Sequence, residues 1–216
     1  MNLLTVDHVT KVFTQRKIFE DASFYLQEQE KVGVIGINGT GKSTLLKMIA
    51  GMEEPDNGEV IYANQIVVHY LPQMPEFDPD ATVLESVLSY ASVGSVHKES
   101  NKDEHEMWNL ESSAKSMMTK LGIYDFDEKT GHLSGGQKKR LALVAVLLTP
   151  CDVLLLDEPT NHLDAEMAEW LENYLKNYRG AMIMVTHDRY FLDSVCNRIV
   201  EVDHGKIYSY ETNYSG

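Results

Sequence analysis

The sequence predicts an α/β fold: a mixed core sheet covered by helices, an antiparallel β-subdomain and a small helical subdomain. Three observations carry this. The runs Lys31-Val32-Gly33-Val34-Ile35, Val153-Leu154-Leu155-Leu156 and Ala181-Met182-Ile183-Met184-Val185 are short and apolar throughout, as strands covered on both faces are. From Leu133 onward, helical apolar spacing alternates with such runs. Residues 3–26 instead alternate apolar with polar, the period of half-exposed antiparallel strands.

In chain order, Leu4-Thr5-Val6 and Phe24-Tyr25-Leu26 belong to short antiparallel strands, broken by the polar Thr14-Gln15-Arg16-Lys17. A buried strand at residues 31–35 leads into a glycine-rich stretch. A helix through Thr44-Leu45-Leu46-Lys47-Met48-Ile49-Ala50 then stops at Gly51. Pro55-Asp56-Asn57-Gly58 is a turn signal, followed by strands at residues 59–62 and 66–71. Thr82 and Glu85 form a capping box before the stripe Val83, Leu84, Val87, Leu88. Residues 92–106 are polar and read as a loop or a frayed helix start, and helical spacing returns over 107–121. Ser134 and Gln137 form a second capping box, opening a helix that ends near Pro150. Residues 164–178 are amphipathic, with Trp170, Leu171, Tyr174 and Leu175 inward. A short helix spans 190–195, and the tail is a hairpin turning at Gly205. The chain reads as one domain, 1–216, with an α/β core and β-subdomain at 1–74 and 128–216 and the helical subdomain at 75–127.

The 216 residues are 43% hydrophobic, enough for a real core, and carry a net charge of −14. A surface of that sign repels bare phosphate backbones unless basic residues are grouped locally. Cys151 and Cys196 flank apolar runs and read as reduced core or near-core residues, with no disulfide or metal spacing. No run is apolar enough to span a bilayer, and the first residues lack a basic, then apolar, secretory pattern. The expectation is a cytoplasmic protein with no membrane insertion.

Chemistry concentrates at Gly36-Ile37-Asn38-Gly39-Thr40-Gly41-Lys42-Ser43, which fits G-x-x-x-x-G-K-[ST] between a strand and a helix. Glycines Gly36, Gly39 and Gly41 let the backbone turn so that N–H groups face a phosphate, and the helix N-terminus adds partial positive charge. Lys42 is expected on the β- and γ-phosphates and the Ser43 hydroxyl on Mg²⁺, with Asn38 and Thr44 completing the loop. Asp157 ends a buried strand, where open sheets bind ligands, and suits Mg²⁺; Glu158 follows, placed to take a proton from an attacking water. Leu133, Ser134, Gly135, Gly136 and Gln137 start a helix; physics alone favours an ordinary capped helix over a phosphate site. For His187, capping the next helix and donating to a phosphate are comparable readings. Gln73 follows a strand and can offer Mg²⁺ a neutral oxygen, although a loop glutamine commonly has no such role.

This set resembles the nucleotide-binding domain of ATP-binding cassette (ABC) proteins. Residues 36–43 look like the Walker A loop, Gln73 like the Q-loop glutamine, and residues 133–137 like the family signature. Residues 153–158 look like Walker B with its catalytic glutamate, Asp164 like the D-loop aspartate and His187 like the switch histidine. Phe13 falls where the family often places a tyrosine that stacks on adenine; phenylalanine keeps the stacking face and loses the hydroxyl. The resemblance implies a P-loop ATPase that binds ATP and Mg²⁺ and pairs head to tail with a second cassette. The signature then acts on the nucleotide of the partner, and full hydrolysis needs both halves.

Thr160-Asn161-His162-Leu163-Asp164, Thr186-His187-Asp188-Arg189-Tyr190-Phe191-Leu192 and Asn213-Tyr214-Ser215-Gly216 resemble the ABC-F branch, and within it the first cassette of a Uup-like member. That resemblance implies a longer chain with a second cassette, a ribosome or RNA partner and a role as a translation factor. Two alternatives share the catalytic residues: the ATP-binding subunit of a transporter, and a DNA-maintenance ATPase. The interval between Gln73 and the signature, about sixty residues, fits an ordinary helical subdomain rather than a long arm. Ribosome binding by this acidic chain requires local basic patches, for which Lys138-Lys139-Arg140 is a candidate; such a run is otherwise a solvated face.

Overall fold

The computed structural model describes residues 1–37, 39, 41–93 and 104–210. Its elements begin with β1 (Asn2–Phe13), β2 (Arg16–Gln27), β3 (Lys31–Ile35), α1 (Lys42–Ile49), β4 (Asn57–Tyr62) and β5 (Val68–Leu71). Then come α2 (Val83–Val93), α3 (Glu104–Lys120), α4 (Gly135–Leu147), β6 (Val153–Asp157) and α5 (Ala165–Lys176). The chain ends in β7 (Ala181–Val185), α6 (Arg189–Val195), β8 (Arg198–Asp203) and β9 (Lys206–Tyr210). They form two compact units: Met1–Tyr70 with Cys151–Glu158 and Leu175–Gly216, and Leu71–Pro150 with Pro159–Tyr174.

The first unit holds two sheets. One has the order β2-β1-β4, antiparallel throughout; the other has the order β5-β6-β7-β3-β8-β9. In the second, β6, β7, β3 and β8 run parallel and β9 closes the edge antiparallel to β8. The apolar runs are strands for the reason expected: every residue of β6 and of β7 is buried. Leu45, Leu46, Met48 and Ile49 of α1 share one core with Val32 and Val34 of β3, Leu155, Ile183, and Phe19 and Leu26 of the antiparallel sheet. Each such side chain contributes about 1.5–3 kcal/mol by leaving water, so α1 is held by packing rather than by its own propensity.

Two strand expectations need correction. β1 and β2 are not short: each has 12 residues, and they pair from Asn2↔Gln27 to Phe13↔Arg16. The register shifts between Val6 and Val9 and between Val9 and Lys11, so bulges carry the ladder past the irregular pattern. The polar stretch is no break either. Only Thr14 and Gln15 form the turn, both at positive φ as a type I′ turn demands, while Arg16 and Lys17 already belong to β2. The strand expected over residues 66–71 is confined to Val68–Leu71. The tail hairpin turns at His204-Gly205, again at positive φ.

In the second unit α2, α3 and α4 pack on one another. Thr82 and Glu85 make both bonds of the expected capping box. The part of the polar 92–106 segment at 94–103 lies outside the described residues, and α3 starts at Glu104. α4 is buried almost all round from Leu141 to Leu147, which is why its apolar pattern is a continuous run rather than a stripe. Among the described residues no helix is long and apolar enough to cross a membrane.

Candidate functional site

Strand register builds the site. Val185 of β7 pairs with Val34 of β3 on one side and with Asp157 of β6 on the other. Three parallel strands therefore end at one level. Two residues beyond Val34 the glycine loop begins; one beyond Asp157 is Glu158; two beyond Val185 is His187. The carboxyl edge of an open parallel sheet is where α/β domains bind ligands.

The loop rises from β3 at Gly36 and enters α1 through Gly41, whose φ of 107° only glycine adopts without strain. A Cβ there would overlap Ile18 and crowd the Phe19 ring. Lys42, 9% exposed, donates from Nζ to the carbonyls of Gly36 at 2.6 Å and Ile37 at 3.1 Å. Burial lowers its affinity for a proton, and the nearby charges of Glu158 and Asp157 oppose that. Ser43 and Thr44 occupy the first turn of α1, half-buried, at the positive end of the helix. Asn38 and Thr40 lie outside the described residues.

Asp157 is 1% exposed and Glu158 5% exposed. Glu158 adopts φ +51°, a left-handed conformation that costs an L-residue about 1–2 kcal/mol. Its own N–H donates to Val185 O at 2.7 Å, which ties this strained residue to β7. The carboxylate faces His187, with Oε1 3.2 Å from Nε2, and Oε2 accepts from the His187 backbone N–H at 3.4 Å. Burial raises the Glu158 carboxyl above its ordinary range; His187 and Thr186 act against the rise and the Asp157 charge reinforces it. Such a group holds its proton more tightly than a surface acid, as a general base does. A cavity of about 270 Å³ opens between Gly36, Lys42, Thr186, His187 and Arg189.

The two readings of His187 separate here. Asp188, not His187, caps α6, accepting from Phe191 N–H at 3.0 Å, so the imidazole is left turned toward Glu158.

In the second unit Ser134 caps α4 and Gln137 closes the box, with bonds of 3.2 and 2.8 Å. Leu133 is buried, and Gly135 and Gly136 form the first turn. A Cβ on Gly136 would lie 3.2 Å from the ring of His162, a histidine at φ +65°. Asp164 caps α5, accepting from Met167 N–H at 2.9 Å. Gln73 follows β5, and its backbone carbonyl lies 3.4 Å from Lys139 Nζ. Phe13, at the end of β1, is half-exposed with Lys11 Nζ 5.0 Å from its ring centroid.

The basic-patch expectation for Lys138-Lys139-Arg140 is overturned. Lys139 is 3% exposed and donates to Pro72 O at 2.6 Å; Arg140 donates to Leu121 O at 2.8 Å. Next to the buried stretch 141–147, these cations meet backbone carbonyls, since a charge drawn out of water needs partners. Sequence reasoning also missed Lys139 as an anchor of the Gln73 segment, His162 against Gly136, and Arg16, which donates to Gly39 O at 2.7 Å. Nothing local in the sequence signals these contacts, which join residues far apart in the chain. The Asn213-Tyr214-Ser215-Gly216 motif lies outside the described residues.

A glycine loop opening a helix at the carboxyl edge of a parallel sheet defines the class of P-loop nucleotide-binding domains. The family described as ABC transporter matches residues 19–161. Among curated proteins, the chain is 40% identical to the uncharacterized ABC transporter ATP-binding protein YfmR of Bacillus subtilis, over 99% of this chain and 38% of that protein. It is 37% identical to the energy-dependent translational throttle protein EttA of Mycobacterium tuberculosis, over 99% of this chain and 43% of EttA. Among solved structures, a dimeric post-hydrolysis ATP-binding cassette bound to ADP and Pi superposes with a TM-score of 0.83 at 23% identity, covering 97% of this chain and 98% of that one. RNase-L Inhibitor gives 0.74 at 28% identity, covering 95% and 39%. The chain belongs to the ABC transporter family, and its fold is that of an ABC ATPase domain. It spans well under half the length of these curated relatives.

Proposed function

We propose that this chain is the first ATP-binding cassette of a longer, cytoplasmic ABC-F protein, and that it binds and hydrolyses ATP with Mg²⁺ once a second cassette completes the site. One observation carries the reading: β3, β6 and β7 end at one level, which gathers Lys42, Asp157, Glu158 and His187 on one edge. Lys42 and the loop amides bind the phosphates, and Phe13 stacks on the adenine. The Ser43 hydroxyl and Asp157 carboxylate, with Gln73, are hard oxygen donors of the kind Mg²⁺ takes. Their fit rests on the buried position of Asp157 and on its charge acting on Lys42. When bound, the metal neutralises charge on the β- and γ-phosphates. Glu158 orients a water and accepts its proton. His187 holds Glu158 and steadies the γ-phosphate. Leu133, Ser134, Gly135, Gly136 and Gln137, with Asp164, act on the nucleotide of the partner cassette.

The name of EttA, an energy-dependent translational throttle, supports a ribosomal role for the longer protein. The family description and that of YfmR support the rival reading, the ATP-binding subunit of a transporter. The full-length protein tests both. With a non-hydrolysable ATP analogue it is expected to co-sediment with ribosomes, and Lys42→Ala to abolish both nucleotide binding and co-sedimentation. Nucleotide-dependent association with membrane-embedded partners instead of ribosomes would overturn the translational reading. Undiminished ATP binding by Lys42→Ala would overturn the site.

A further inference from the structure

The phosphate loop is seated on β2, and the seat includes a charged residue that no motif assigns. The Arg16 guanidinium lies across Gly39: Nη2 donates to Gly39 O at 2.7 Å, and a Cβ built on Gly39 would stand 3.4 Å from Nη1 and 3.5 Å from Nη2. Two residues along the same face of β2, Ile18 fills the space under Gly41. Strand β2 thus touches the loop at two points, once through packing and once through charge.

The electrostatics of the loop depend on where its carbonyls go. Lys42 Nζ binds those of Gly36 and Ile37, and Arg16 binds that of Gly39. Three carbonyl oxygens that would repel a phosphate are thereby matched with cations. Arg16 pairs across the hairpin with Phe13, so one tight turn carries both residues. Beside them a cavity of about 360 Å³ is lined by Arg16, Lys17, Ile18, Ile37, Gly39 and the turn at His204-Gly205.

We propose that Arg16 is a positioning residue for the nucleotide's phosphates: from the first position of β2 it pins the phosphate loop through the Gly39 carbonyl. This rests on the ATP-binding reading above. Arg16 is exposed, and its loss opens no core. A structural role would lower stability without nucleotide; a positioning role lowers affinity for the diphosphate and leaves that stability alone.

The experiment measures the Kd for Mg-ADP by calorimetry, and the melting temperature without nucleotide, for wild type, Arg16→Ala, Arg16→Lys and Lys42→Ala. Arg16→Ala is expected to raise the Kd about 5- to 20-fold, near the low end for a hydrogen bond to a charged group because Arg16 is exposed to water. The nucleotide-free melting temperature should stay within about 1 °C. Arg16→Lys should recover part of the affinity, since an ammonium keeps the charge and a donor but cannot lie flat across Gly39. An Arg16→Ala protein that binds ADP within twofold of wild type, while Lys42→Ala does not bind, overturns this proposal alone. Weakened binding that tracks an equal loss of nucleotide-free stability in both Arg16 variants also overturns it. Failure of the wild type to bind ADP overturns the ATP-binding reading with it.

Discussion

Glu158 concentrates two costs on one residue, a buried carboxyl and a left-handed backbone, and a close histidine offsets the first. Strain of this kind persists only where the surroundings over-determine it, here through Val185 O and His187. Because burial raises the carboxyl above its ordinary value, the folded protein binds more protons than the unfolded chain between pH 4.5 and the raised value. Stability attributable to this group therefore falls as pH rises through that window and stays reduced above it. Glu158→Gln keeps the shape and removes the charge. It is expected to raise the melting temperature at pH 7.5 by about 2–4 °C, with the gain shrinking as pH approaches 4.5. Calorimetric melting of both proteins across that range checks this; a variant less stable at neutral pH, or a gain independent of pH, would contradict it. In the full-length protein the same variant should hold ATP without turning it over, read as a stable nucleotide complex by filtration.

At the scale of elements, α4 does two jobs that its sequence does not separate. Its N-terminus is capped by Ser134 and Gln137, as the capping box predicts. Its buried Lys139 reaches back to the carbonyls of Pro72 and Gln73, fixing the segment after β5 to the same helix. Lys139→Met keeps the stem and leaves the part-buried Pro72 carbonyl short of a donor. The expected cost is about 1–3 kcal/mol, read as a lower urea midpoint with an unchanged slope. An unshifted midpoint would show that water serves that carbonyl equally well. The capping boxes and the apolar runs were legible because each is a local pattern of chemistry. The length of β1 and β2 was not. Bulges near Val9 and a two-residue turn at Thr14-Gln15 let polar residues sit inside a ladder.

For the whole molecule, charge sets the expectations. With a net charge of −14, and with Lys139 and Arg140 turned inward, this chain alone should bind RNA weakly. Gel-shift titration of the isolated chain against ribosomal RNA at about 0.15 M salt is expected to show no saturable complex. A submicromolar, salt-sensitive affinity would place the RNA contact within this cassette. Without one, the proposed ribosomal contact lies outside this chain; the curated relatives it matches are more than twice its length.

Sequence by itself determined the strands of the parallel sheet, the glycine loop, the two capping boxes and the acids at the end of β6. Each follows from nearest neighbours: burial on both faces, φ restrictions, and donors left free at a helix end. Tertiary structure alone decided which strand ends share a level, that Asp188 rather than His187 caps α6, and that Lys139 is buried while Arg16 bears on the loop. Those outcomes depend on register and on contacts between distant residues. A one-residue shift in pairing would undo them without changing any local pattern.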